Sequence, residues 1–227
     1  MSGASEAPRG DDPIGVLRDT VLKAALPHIP FDGWSWAALR RGAMDAGLPA
    51  ADAERAFPGG GADAIDHHNA MADRQMLGAL AAAEPDGLRL RGKVALAVRL
   101  RIDGVFADRD AVRRGMALLA LPQNARLAAR MLYRTVDAIW RAVGDTSTDW
   151  NFYSKRALLA GVYSSTLLCW LTDDTPDRQT SWAFLDRRIA EVMALPRLTG
   201  RLDGVKGLVR RFRRARTQAH LGAGGLR

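Results

Sequence analysis

Apolar residues recur at spacings of three and four along most of this chain, and no stretch alternates apolar and polar for long between turn residues. The pattern predicts an all-α fold. Asp12 followed by Pro13 starts a first helix whose buried stripe is Val16, Leu17, Val21, Leu22 and Ala25, and Pro27 and Pro30 end it. Ser35 opens a second helix that runs to Gly47, a left-handed terminator, and Pro49 opens a short third that ends near Phe57 and Pro58. With the tight Gly47-Leu48-Pro49 joint, these three have the length and punctuation of a helix-turn-helix.

The glycine run Gly59 to Gly61 reads as a flexible connector, after which helical periodicity resumes over residues 62–83, 92–102, 108–120 and 122–143. Gly144 closes the last of these. Thr146 to Thr148 cap a helix that runs to Leu171, and Pro176 opens another that reaches Leu195. The organisation expected is a flexible N-terminus over 1–12, a helix-turn-helix unit over 13–60 and a larger helical domain over 61–196. Beyond it, Leu202, Val205, Leu208, Val209 and Phe212 fall within about 120° of one another on a helix, with Lys206, Arg210, Arg213 and Arg214 on another side. Residues 199–220 are therefore expected to form a basic amphipathic helix that docks on an anionic membrane surface, the alternatives being a solvated helix packed on the body or a frayed tail, and a basic tail that holds RNA or DNA without sequence preference.

Composition narrows the class. With 227 residues, 48% hydrophobic and 26% charged, the chain can bury a core. A single cysteine, Cys169, excludes a disulfide framework and a cysteine-rich metal site, and points to a reducing, cytoplasmic home. The start, Met1 to Asp12, lacks the apolar core of a secretory signal, and the longest apolar stretch, residues 157–171, is short of the roughly 20 residues that span a bilayer.

The net charge of +8 invites a nucleic-acid reading until it is located. Residues 1–80 carry 7 basic against 11 acidic side chains, 81–198 carry 18 against 13, and 199–227 carry 8 against 1. The helix-turn-helix thus lies in an acidic region, and its third helix offers only Arg55 beside Asp52 and Glu54, which argues against DNA binding.

Catalytic chemistry finds no motif. His67 and His68 are adjacent, so on a helix they point about 100° apart and do not share a metal, and the glycine run lacks the Lys and hydroxyl of a phosphate cradle. No Ser, Cys or Lys sits in a nucleophile signature. No metal, cofactor or catalytic residue is expected, and the protein is read as a non-enzyme. In residues 157–171, the small Ala157, Ala160, Gly161, Ser164 and Ser165 leave space beside a helix that is apolar all round; it reads either as plain core or as the wall of an apolar ligand cavity. Just upstream, Asp149, Phe152, Tyr153 and Arg156 share a helical face that mixes charge with aromatic rings. That face suits either an interface or an Asp149–Arg156 salt bridge.

The block from Gly144 to Ile189 resembles the C-terminal signature of the ubiquinone-biosynthesis accessory family. The resemblance is densest at Gly144, Asp145, Ser147, Thr148, Asp149, Asn151 and Tyr153, with Arg156 and Ala157 beyond. The Leu121-Pro122-x-Asn124 corner and the Trp182-x-Phe184-Leu185-x-x-Arg188 pattern extend it, and it covers about Leu22 to Met193. The resemblance implies a TetR-regulator-like bundle whose helix-turn-helix no longer reads DNA. It also implies an apolar cavity for an isoprenoid quinone or its precursor, presented to a membrane-bound ubiquinone-pathway hydroxylase through a patch that is here Asp149, Asn151, Phe152, Tyr153 and Arg156. By apolarity and position, the cavity is expected to use Met116, Leu119, Leu132, Val162, Tyr163, Thr166, Leu167 and Trp170. The amphipathic segment matches the family's membrane-docking helix in position and chemistry. The better-known members carry an organelle-targeting segment; the short polar start here implies a bacterial version, peripheral on the cytoplasmic face of the inner membrane. A homodimer is the expected assembly, and a TetR-type lipid-sensing regulator is the rival reading.

Overall fold

The computed structural model describes residues 12–145 and 150–192, with side chains placed throughout except at 106 and 150–152. These residues form ten α-helices, and among them there is no strand. The expected flexible N-terminus up to residue 11, the expected Thr146 to Thr148 cap, the expected helix end at Leu195 and the amphipathic helix expected over 199–220 lie outside the described residues.

Helix α1 (Pro13–Ala25) starts where Asp12 and Pro13 predict. The Asp12 carboxylate accepts from the Ile14 N–H at 3.2 Å, and Pro13 occupies a position whose N–H would have no helical partner. Its buried face is Val21, Leu22 and Ala25, with Leu17 half-buried and Val16 59% exposed. Val16 departs from the expected stripe because α1 meets the molecule through its C-terminal half. There Gly42 presses on Ala25 so closely that a β-carbon would lie 2.5 Å from the Ala25 nitrogen. Pro27 and Pro30 do end α1, yet the chain stays helical in pieces, through a 3-10 turn (Leu26–His28) and α2 (Ile29–Asp32), each opened by a proline where no donor is lost.

Helix α3 (Trp36–Asp45) is capped by Ser35, whose Oγ accepts from the Ala38 N–H at 3.3 Å. It ends at Gly47, with φ +75° and the Leu48 N–H reaching back to the Ala43 carbonyl. The short α4 (Asp52–Ala56) completes the helix-turn-helix, and α1, α3 and α4 bury Leu22, Leu39, Ala53 and Phe57 in one core.

The glycine run is a fixed corner rather than a loose connector. The Gly59 N–H donates to Asp63 Oδ2 at 2.7 Å, Gly60 takes φ +63°, and a β-carbon on Gly61 would sit 2.0 Å from the Trp34 carbonyl oxygen. The corner launches α5 (Gly61–Ala82), which gives Ala64 and Met71 to the first core and Met76 and Leu80 to a second. That larger core is completed by α6 (Leu90–Asp103), α7 (Arg109–Leu119), α8 (Ala125–Ala142), α9 (Trp150–Leu171) and α10 (residues 179–192), around Val98, Ile102, Ile139, Trp170 and Leu185. Gly144, at φ +84°, closes α8 as the sequence predicts. No helix among the described residues is long and apolar enough to cross a membrane.

Candidate functional site

Between α7, α8 and α9 lies a cleft of about 310 Å³. Met116 and Leu119 form the α7 side, Met131, Leu132 and Thr135 the α8 side, and Tyr163 and Leu167 the α9 side. The space exists because the facing positions are small: Ala120, Ala128, Ala129 and Ser164 line it too, and Ala129 is exposed at its open side. An inner cavity of about 60 Å³ shares Asn69, Met116, Leu119, Met131, Tyr163 and Leu167 with the cleft and continues to Trp34, Ile65, His68 and Arg101. Gly115 sets how deep α7 can sit, since a β-carbon there would meet Ile65 Cδ1 at 2.5 Å.

The apolar walls stand on a polar floor. Arg101 and Asp73, 4% and 5% exposed, form an ion pair at 2.7 Å. The Arg101 guanidinium also donates to Asn69 Oδ1 at 2.7 Å, while the Thr135 hydroxyl donates to Asp73 at 2.9 Å and accepts from Asn69 Nδ2 at 3.2 Å. Two buried charges survive here because each is paired and most of their remaining hydrogen-bonding capacity is filled. Burial pushes the Tyr163 hydroxyl above the usual phenol range, against the opposing pull of Arg101 and with the help of Asp73. At physiological pH it is therefore a neutral donor. Apolar walls with a few convergent polar groups suit a ligand that is greasy at one end and oxygenated at the other.

Of the eight residues expected to line a cavity, Met116, Leu119, Leu132, Tyr163 and Leu167 come together here. Val162 faces a different cleft, between α6, α9 and α10. Thr166 and Trp170 are fully buried and line neither: the Thr166 hydroxyl donates to the Val162 carbonyl at 2.7 Å, and the Trp170 ring lies under the Arg109 guanidinium at 5.7 Å. Ser164, one of the small residues expected to leave space beside α9, lines the cleft, whereas sequence reasoning missed Asn69, Ala120, Ala128, Ala129, Met131 and Thr135. The legible signal was Asn69 and Asp73, one turn apart on a face of α5 that is otherwise Ile65, Ala72 and Met76.

The second expected surface divides. Tyr153 is 67% exposed, but Arg156, one turn on, is 4% exposed and turned inward. Its guanidinium holds Asp137 of α8 at 2.7 Å and Asp145 at 3.6 Å, so it fastens α9 to α8, and it does not share the outward face of Tyr153. A shared helical sector is no guarantee of shared exposure when one member lies where a neighbouring helix packs. Asp149, the one partner expected for Arg156, lies outside the described residues, as do the side chains of Asn151 and Phe152. All nine expected membrane-contact residues, Leu202 to Arg214, also lie outside them.

On the helix-turn-helix, basic side chains face acidic ones. Arg55 of α4 pairs with Asp52 at 2.7 Å, Arg40 of α3 with Glu54 at 2.6 Å, and Arg41 with Asp32 at 2.8 Å. The two adjacent histidines of α5 point apart, His67 to Asp19 at 2.6 Å and His68 to Asp108 at 3.1 Å.

Comparison with known proteins bears on these arrangements. The COQ9 family model matches residues 125–196, the stretch that holds α8, α9 and α10. The chain is 33% identical over 186 residues to the mitochondrial ubiquinone biosynthesis protein COQ9 of Rattus norvegicus, covering 78% of this chain and 59% of that protein. It is 32% identical over 203 residues to COQ9-A of Xenopus laevis, covering 85% and 62%, and 31% identical over 215 residues to COQ9 of Drosophila melanogaster, covering 92% and 64%. The chain thus spans about three fifths of the length of the curated relatives it matches. Among solved structures, a TetR transcriptional regulator from Nitrosomonas europaea ATCC 19718 matches with a TM-score of 0.64 at 17% identity, covering 78% of this chain and 98% of that one. At that identity the likeness is one of fold, and the fold is TetR-like.

Proposed function

From a chain that is a relative of the COQ9 proteins and has a TetR-like fold, we infer a part in ubiquinone biosynthesis. The role is that of a non-catalytic accessory protein that binds an isoprenoid quinone or its precursor and presents it to a membrane-associated hydroxylase. The observation that carries this reading is the cleft between α7, α8 and α9, apolar on its walls and polar at its floor. Its 310 Å³ stands at the lower end of the roughly 300–1,000 Å³ of small-molecule pockets. It therefore takes a ring and the first part of a tail, with the remainder leaving past exposed Ala129. The ring oxygens meet Asn69, Thr135 and Tyr163, and the tail meets Met116, Leu119 and Leu132. Moving such a lipid out of a bilayer exchanges one apolar environment for another, at about 25 cal/mol per Å² on either side, so the transfer is nearly balanced. A modest difference in contacts can then decide its direction.

In the same reading, Tyr153 and its neighbours Asn151 and Phe152 meet the hydroxylase, and the basic sequence from Arg201 to Arg216 holds the protein on an anionic surface, peripheral on the cytoplasmic face of the inner membrane. The paired arginines of α3 and α4 weigh against the regulator alternative, because a reader of DNA needs cations to offer to phosphates.

The test is native mass spectrometry and lipid extraction of the full chain purified from a ubiquinone-making bacterium, alongside Ala128→Phe, which fills the cleft from its partly exposed wall, and Tyr163→Arg. The expected result is a co-purifying isoprenoid quinone that Ala128→Phe loses while keeping its helical circular dichroism. An intact protein that comes out empty, or an Ala128→Phe variant that keeps the lipid, would overturn the reading.

A further inference from the structure

A second apolar cleft, about 300 Å³, lies on the other side of α9, lined by Leu90 and Val94 of α6, Leu158 and Val162 of α9, and Ile189 and Val192 of α10. Beside it the chain turns a convex corner into α6, and the corner reads Leu88-Arg89-Leu90-Arg91. Leu88 and Leu90 are 45% and 44% exposed, and Arg89 and Arg91 are exposed with them. The corner is built rather than frayed. The turn Pro85–Gly87 sets its approach, the Leu88 N–H closes that turn on the Pro85 carbonyl at 2.9 Å, and Leu88 lies over Gly92, where a β-carbon would meet Leu88 Cβ at 3.4 Å. Two leucines held outward on a fixed corner are not a core in waiting.

We propose that the Leu88 to Arg91 corner is a bilayer-contact element. Leu88 and Leu90 enter the boundary between headgroups and acyl chains of an anionic membrane, Arg89 and Arg91 meet the lipid phosphates, and the mouth of the α6/α9/α10 cleft is set against the lipid. The chemistry selects this occupant. Leucines alternating with arginines on a convex tip fit an interface where the apolar tips go down and the long cationic side chains stay with the phosphates. Arg89 makes no ion pair among the described residues; Arg91 donates to the Asp186 carbonyl and makes no ion pair among them either. The opposing charges on the approach are Glu84 and Asp86, and Asp86 pairs with Lys93 at 3.2 Å. Continuity adds to this. Val192 lines the far side of the same cleft at the last described residue, and the sequence beyond it carries seven Lys and Arg between Arg201 and Arg216.

The proposal is separate from the reading of the α7/α8/α9 cleft, and its test separates them. In the full chain carrying Cys169→Ser, Leu88→Cys is labelled with an environment-sensitive nitrobenzoxadiazole, with Met44→Cys on α3 as the exposed control. Vesicles are phosphatidylcholine with or without phosphatidylserine. The label at 88 brightens and shifts to the blue with the anionic vesicles, the label at 44 does not, and Leu88→Asp combined with Leu90→Asp lowers vesicle partitioning about tenfold at unchanged helicity. A protein that sediments with anionic vesicles while the label at 88 stays unchanged touches them elsewhere, and the proposal fails. It fails equally if the chain does not bind the vesicles, or if the double variant partitions as the parent does, which would turn the corner over to a protein partner.

Discussion

Two residues show how this bundle tolerates buried charge. Asp73 is accepted in the larger domain because Arg101, Thr135 and Asn69 converge on it, with Arg134 at 3.6 Å. Arg101→Met strips that buried carboxylate of its close ion pair, leaving only the longer contact with Arg134 at 3.6 Å, and is expected to cost about 3 kcal/mol in urea denaturation. The double change Arg101→Met with Asp73→Leu should cost clearly less than the two single changes added, because the second removes the buried carboxylate that the first deprives of its close partner. Asp173 is the other case, 6% exposed at the turn between α9 and α10. Burial by itself would raise its pKa, but donors from Ser181 (2.6 Å from the hydroxyl, 2.7 Å from the backbone N–H) and from Thr175 outweigh burial and hold the carboxyl well below the usual carboxylate range. A depressed folded-state pKa contributes stability that is complete above the unfolded value, about 3.9, and is lost as the pH falls towards the folded one. Thermal melts of the parent should therefore lose stability on acidification below about pH 4, and Asp173→Asn should be less stable at neutral pH and show a shallower acid limb.

Among the elements, the contact of α1 with α3 depends on one missing β-carbon. Gly42→Ala places a methyl 2.5 Å from the Ala25 backbone, which cannot rotate away, so α1 must shift. A cost of about 1–3 kcal/mol is expected, seen as faster amide exchange in α1 and α3 with α8 and α9 unchanged. Helix starts and stops were legible at this scale because their causes are local: Asp12 and Ser35 cap, the prolines open first turns, and Gly47 and Gly144 take left-handed backbone at helix ends. What failed was the inference from angle to exposure. Arg156 projects from the same sector of α9 as Tyr153, and Val16 from the same stripe as Leu17. Whether a sector is covered depends on which helix lies beside it and how far along, and no property of the sector itself carries that information.

For the whole molecule, two cores share one long helix, α5, so ligand chemistry in one and local opening in the other can be measured separately. If the α7/α8/α9 cleft holds lipid, a bound quinone at 100 times its Kd adds about 2.7 kcal/mol, which for a chain of this size raises Tm by roughly 5–11 °C. Calorimetry of the full chain with added quinone, against Ala128→Phe, checks this; equal melting with and without lipid at saturating concentration contradicts a cleft ligand. The sequence by itself determined the helical class, most helix boundaries, a helix-turn-helix set in an acidic stretch and the likeness to a ubiquinone-biosynthesis family, since each rests on periodicity, capping chemistry, charge counts or a contiguous motif. Only the tertiary structure decided that Leu132 and Tyr163 share a cleft while Thr166 and Trp170 are core, that the glycine run is a fixed corner, and that Arg156 is spent on Asp137. The physical reason is that a cavity is the space left where several helices fail to touch. Its walls come from residues as far apart as Asn69 and Leu167, whose spacing in the chain says nothing of their distance in the fold.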